Sequence, residues 1–143
     1  MSTKVMPRKG LRVRCLNIKP YLRKECIEFT KWLRNQLEFP IRVVIYIKND
    51  MYIKNMYGEL VNATFFAPDE KNVEPYIRIA TGDVEEIRKK TGKVNAFCNV
   101  LCSIAHEIAH YEQWIEDKEL SEELADKRAI ELMDLYGYVT DNN

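Results

Sequence analysis

The stretch that most constrains this chain is residues 94–116, where Phe97, Leu101, Ile104, Ile108, Tyr111 and Ile115 recur at helical spacing. An apolar stripe of that length and period predicts one long helix lying on a sheet. Inside it runs His106-Glu107-Ile108-Ala109-His110, a complete H-E-x-x-H. Four residues of helix rise about 6 Å and turn about 40° past one revolution, so both imidazoles leave the same face. That separation lets them share one tetrahedral zinc ion, and Glu107 can reach a water at the open position, the arrangement of a general base. The imidazoles fall about 180° and 220° from the centre of the stripe. They therefore face away from the sheet, and another element has to cover them. The plain alternative is two histidines and a glutamate on a solvated helix face. Against it, these are the only 2 histidines in the chain.

At 143 residues the chain is long enough for one domain with a real core and too short for two. Its 22 basic and 22 acidic residues balance, so bulk charge names no partner. The balance hides an asymmetry: residues 1–54 carry 13 Lys/Arg against 4 Asp/Glu, and residues 55–143 carry 9 against 18. An acidic second half suits metal binding, and a basic first half either touches nucleic acid or pairs with the other half. The second reading is favoured, because the basic residues are dispersed over helix and strand and the aromatics there fit an apolar stripe.

Cys15, Cys26, Cys98 and Cys102 contain no C-x-x-C pair. No apolar leader follows Met1, and no apolar run is long enough to span a bilayer. The expectation is a reduced, cytoplasmic setting without membrane contact, with the cysteines as small buried hydrophobes. Cys98, Cys102, His106 and His110 follow at steps of four, but about 40° of drift per step spreads them over about 120°, too wide for one ion.

Along the chain, residues 1–10 read as a loose lead-in. Pro20 opens a helix to about Glu38, with Leu22, Cys26, Phe29, Leu33 and Leu37 on one face and Pro40 as its stop. Strands are expected over 41–47, over 57–67 around Gly58, and over 76–80, ended by Gly82. A short helix is expected from Asp83 to about Lys90, and a last one from Glu122 to Tyr136. The sum is one α+β unit over 1–143: an N-terminal helix, a small, mostly antiparallel sheet of three to four strands, the motif helix and a C-terminal glutamate helix.

A zinc site needs a third protein ligand, and no third histidine exists, so a carboxylate must serve. Ser121 is a natural N-cap, and acidic residues in the first turn of a helix oppose its dipole, which accounts for Glu122 and Glu123 without any metal. Periodicity separates the two. Glu122 shares a stripe with Ala125, Ala129, Leu132 and Tyr136 and so belongs to the buried face, while Glu123 points to solvent. A glutamate on such a face wants a partner, and Glu122 is the expected third ligand. Asp126, one turn on, can accept the outer N–H of a ligating histidine and fix its tautomer. Glu119 and Asp117 in the preceding loop are the fallbacks.

H-E-I-A-H followed by E-x-x-A-D resembles the gluzincin class of zinc metallopeptidases. The small size and element order are similar to the minimal zincin-like catalytic cores of the ImmA/IrrE type found in bacteria and phages. The likeness covers roughly residues 20–137 in layout, its specific motifs only 106–110 and 122–126. Two departures stand out. Eleven residues separate His110 from Glu122, fewer than is usual in the class, and the chain lacks the further histidine that many gluzincins use to stabilise the transition state. The resemblance implies one zinc per chain on His106, His110 and Glu122, with Glu107 moving the proton in peptide hydrolysis. It also implies that strand 76–80 could be the sheet edge that binds an extended peptide, an ordinary edge strand being the alternative. The implied partner is a peptide or a protein, such as a regulator cleaved once. Tyr111 reads as core, and Tyr136, Tyr138 and Arg128 are weak candidates for the oxyanion donor. Two other classes stay open: a non-catalytic, zinc-stabilised binding module, and a nucleic-acid-binding protein using the basic half.

Overall fold

Leu11, Val13 and Cys15 alternate with Arg12 and Arg14, and a period of two is that of a strand. In a computed structural model, which describes residues 8–137, this segment is β1 (Leu11–Leu16), an element outside the three expected strands. Residues 8–10, expected to be loose, are tied down: Gly10 N–H donates to Phe39 O at 2.9 Å, Arg42 N–H to Arg8 O at 2.6 Å, and Arg8 forks onto Glu74. The same expectation for residues 1–7 lies outside the described residues.

Helix α1 (Pro20–Gln36) follows, with Leu22, Cys26, Phe29 and Leu33 buried as the spacing predicts. It leads into β2 (Val43–Lys48), which pairs with β1 in parallel. A strand–helix–strand connection brings the chain back in its original direction, which is why this pair is parallel. The expected strand over 57–67 is two strands in two sheets. β3 (Ile53–Lys54) and β4 (Leu60–Val61) form a small antiparallel hairpin, and the chain passes through Asn62 into β5 (Ala63–Phe66). β6 (Tyr76–Ala80) pairs in parallel with β2 and antiparallel with β5, giving the order β1-β2-β6-β5. Two expectations are corrected here. Two of the three ladders in this sheet are parallel, so it is not mostly antiparallel, and β6 is interior, so the edges are β1 and β5. Long connections decide both points, and local periodicity does not carry them.

Gly82 ends β6 where the 50–51 backbone crosses it. A Cβ there would stand 2.7 Å from the Met51 nitrogen, so the crossing needs glycine. Helix α2 (Val84–Thr91) and helix α3 (Lys93–Ile115) are separated by Gly92 at φ 96°, a left-handed conformation that glycine adopts freely. Helix α4 (Glu122–Tyr136) matches its expected bounds and ends at Gly137.

The core lies between one sheet face and the helices. Val43, Ile45, Ile47, Ile77 and Ile79 point inward against Phe29, Leu33, Phe97, Leu101, Ile104 and Ile108. Each such buried side chain contributes about 1.5–3 kcal/mol by leaving water. Two aromatic hydrogen bonds fix the far end of α3. Tyr111 OH donates to Ile41 O, and Trp114 Nε1–H donates to Pro68 O at 2.8 Å. No described helix is long and apolar enough to cross a membrane.

Candidate metal centre

The apolar stripe presses α3 onto the sheet and leaves His106, Glu107 and His110 on the side covered by α4. Three contacts seat α4 there. Ala125, Ala129 and Leu132 are buried along it, Ser121 Oγ caps it by accepting Leu124 N–H at 3.2 Å, and Arg128 forks onto Glu112 of α3 at 2.8 and 3.1 Å. His106 then meets α4 on both of its nitrogens, and His110 meets α4 on Nε2 and Gln113 of its own helix on Nδ1.

Those contacts fix the tautomers. Gln113 faces the Ser121 backbone with its amide nitrogen on Ser121 O (3.1 Å) and its Oε1 on Ser121 N–H (3.1 Å). Gln113 Oε1 is therefore an acceptor, and His110 Nδ1, 2.9 Å away, must carry the proton it receives. Asp126 Oδ1 stands 2.9 Å from His106 Nδ1 and imposes the same choice on that ring. Both Nε2 atoms then point at one carboxylate, His106 Nε2 at 2.8 Å from Glu122 Oε2 and His110 Nε2 at 3.1 Å from Glu122 Oε1. With neutral rings, two nitrogen lone pairs face the two oxygens of one carboxylate. Four acceptors so placed need positive charge among them, supplied either by protons on the rings or by a cation.

The donor set suits a metal. Ligand atoms about 2.0–2.2 Å from a tetrahedral zinc lie roughly 3.3 Å from one another. The Glu122–histidine separations of 2.8 and 3.1 Å are near that edge length. His106, Glu107 and His110 also offer ligand atoms that all lie within 4.8 Å of one another. Two carboxylates, Glu122 and Glu107, therefore stand within reach of the two rings, and Glu122 is the one that meets both Nε2 atoms.

Glu122 departs from expectation in one respect. Its side chain is 79% exposed, not part of the buried face. It is the first residue of α4, and a stripe that is buried along a helix opens to solvent at the helix end. Burial works against its charge, but hydrogen bonds and charge from His106 and His110 outweigh this and hold it below the usual carboxylate range. Glu107 behaves oppositely. It is 5% exposed, and burial pushes its pKa up to about 7, with His106 opposing the rise and Glu122 adding to it.

A cleft of about 470 Å³ opens on Glu107, His106 and Glu122. One wall is Val61–Ala63, at the start of the edge strand, and Asn99, Cys102 and Ser103 of α3 form the floor. A second hollow of about 170 Å³ shares Asn62, Asn99 and Ser103 and extends the groove towards α2. Cys102 thus lines the cleft, where a buried core cysteine was expected. Cys26 is buried, and all four cysteines are free thiols.

The remaining candidates are accounted for elsewhere. Glu123 is exposed and faces Lys127 at 3.7 Å, Asp117 pairs with Lys71 at 3.0 Å, and Glu119 is exposed in the loop. Tyr111 is core, as expected, and its pKa is pushed up to about 12 by burial against the opposing Ile41 hydrogen bond. Tyr136 packs on Phe29 and Trp32 with ring centroids 4.8 and 5.1 Å away, and Arg128 is committed to Glu112 and Glu131. Tyr138 lies outside the described residues. Gln113 is the site residue the sequence reading missed. Its signal was its place three residues after His110, on the same side of the helix. Compared with known proteins, the chain matches no family model, no curated protein and no solved structure.

Proposed function

We propose that this chain is a zinc-dependent metallopeptidase with a zincin-like fold. The observation that carries the reading is the convergence of His106 Nε2, His110 Nε2 and the Glu122 carboxylate, with both Nδ1 atoms committed as donors, beside a buried glutamate that opens on a cleft. Zinc on those three residues would supply a Lewis acid for a peptide carbonyl and a water acidified towards neutrality. Glu107 takes a proton from the attacking water and returns it to the leaving nitrogen, a task suited to a carboxylate that burial has pushed up to about 7. Asp126 and Gln113 hold the two rings in the tautomer that presents Nε2 to the ion. Edge strand β5, whose first residue lies in the cleft wall, is the element along which an extended peptide adds as a further strand.

A second reading is a zinc-stabilised binding module with the same ligands and no turnover. One observation favours it: Tyr111, Tyr136 and Arg128 are all engaged away from the cleft, so the oxyanion donor is left to Asn62 or Asn99. The deciding experiment is zinc per chain by elemental analysis, with cleavage of a peptide library followed alongside. The peptidase reading expects about one zinc in the wild type, lost in Glu122→Ala and kept in Glu123→Ala, and cleavage abolished in a zinc-loaded Glu107→Gln. Zinc with no cleavage supports the module. No zinc after reconstitution sinks both.

A further inference from the structure

All four helices pack on one face of the sheet, and the side chains of its other face are absent from the core cluster. Register fixes what that open face displays. One cross-strand row reads Arg12, Val44, Tyr76, Phe66, and the next reads Arg14, Tyr46, Arg78, Thr64. Tyr46 and Tyr76 both point outward on this face. Phe66 stacks on Tyr76 with centroids 5.0 Å apart, Tyr46 meets Tyr76 edge-on at 6.3 Å, and Arg78 lies over the Tyr76 ring at 5.7 Å. Grooves of about 330 and 530 Å³ flank Tyr76 and Arg78, which line both.

Charge on this face has one sign. The four strands contain Arg12, Arg14, Lys48 and Arg78 and no carboxylate. Among the described residues Arg12 and Arg14 make no ion pair, and Lys48 meets Asp50 at the margin at 3.4 Å. Arg78 gives one N–H to Lys54 O, while its Nε is buried without a partner. Ring stacking and the Arg78–Tyr76 contact stabilise this face modestly, but they give Arg12 and Arg14 no anionic partner. A polyanion with flat apolar faces satisfies rings and arginines at once.

We propose that the open sheet face binds single-stranded nucleic acid, with bases stacking on Tyr46, Tyr76 and Phe66 and phosphates meeting Arg12, Arg14 and Arg78. An acidic peptide would match the charge but would leave the rings unused, so the aromatics favour the nucleic acid. The surface is on the opposite side of the sheet from the α3–α4 centre, and the proposal does not depend on the metallopeptidase reading.

The test is fluorescence anisotropy of the full chain with labelled oligo-dT, oligo-U, a duplex of equal length and poly-glutamate, each titrated with salt. Single strands are expected to bind, the duplex and poly-glutamate at least tenfold more weakly, and the oligo-dT and oligo-U arms to separate DNA from RNA. Tyr76→Ala should weaken binding about tenfold, the order of one base–aromatic stack, and Tyr76→Trp should restore it. In case Tyr76→Ala fails to fold, Arg12→Gln with Arg14→Gln alters only side chains on the exposed strand face. That variant should flatten the slope of log K against log salt by about 1.4, at about 0.7 per phosphate contact. Absence of wild-type binding at low salt overturns the proposal. So does duplex or poly-glutamate binding equal to that of single strands, or a salt slope unchanged in the arginine variant.

Discussion

Helices α3 and α4 build one site but are held in opposite ways. Of the 23 residues in α3, 12 are buried, whereas α4 buries 3 of 15 and is otherwise clasped by Arg128–Glu112 and Gln113–Ser121. Their glutamates differ accordingly. Burial on α3 pushes Glu107 up to about 7, while on the exposed end of α4 the two histidines pull Glu122 down. The same side chain is thus pushed up by burial in one place and held down by neighbouring imidazoles in the other. The difference teaches that the anchored helix supplies the desolvation that raises a carboxyl. On the lightly held one, neighbouring groups decide.

The strongest way to break this contrast is at Glu107. Glu107→Gln should lower the proposed peptidase activity by about 10²–10⁴-fold with zinc content unchanged, read as initial rates beside elemental analysis. A variant that keeps its rate removes Glu107 from the chemistry. The metal-free protein gives an independent check. A carboxyl whose folded pKa is raised from 4.5 to about 7 binds more protons folded than unfolded in that interval, so it costs stability progressively as pH rises through it. Chelated Glu107→Gln should therefore unfold at higher denaturant than chelated wild type at pH 8, by an order of 3 kcal/mol, with the gap closing below pH 4.5. Equal midpoints at both pH values would show that burial does not act on this group as described.

Next come the residues that hold the rings. Gln113→Ala and Asp126→Ala should each weaken zinc binding about 10–100-fold in a competition titration without unfolding the chain. Equal affinity to wild type would mean the rings need no tautomer lock. The smallest effect is expected at the clasp. Arg128→Ala should cost about 1 kcal/mol or less, as a partly exposed ion pair does, whereas Leu101→Ala on α3 should cost about 2–5 kcal/mol. A clasp loss as large as the core loss would erase the distinction between the helices.

The site was more legible in the sequence than the sheet was. His106, Glu107, His110, Glu122 and Asp126 fall within two helices whose periodicity is local, so their faces follow from residue spacing alone. Gln113 escaped because an amide three residues after a histidine is an ordinary solvated residue until the loop that brings Ser121 back is known. The exposure of Glu122 depends on where α4 leaves α3, which its stripe does not encode. Strand direction and order were out of reach for a similar reason: β2 pairs with β1 across α1 and with β6 across the β3–β4 hairpin. Tyr46 fell within the strand expected over 41–47, and only the register showed which way it faces.

The histidines and Glu122 are also close in the chain, His106 and Glu122 being 16 residues apart. Closing a loop of about ten residues takes roughly 10–100 ns, whereas pairing distant strands waits on far costlier chain closure. The cleft wall at Val61–Ala63 belongs to that slower class. By these rules the His106–Glu122 pair closes ahead of the cleft wall, so on the proposed reading the ligand set is gathered before the groove beside it.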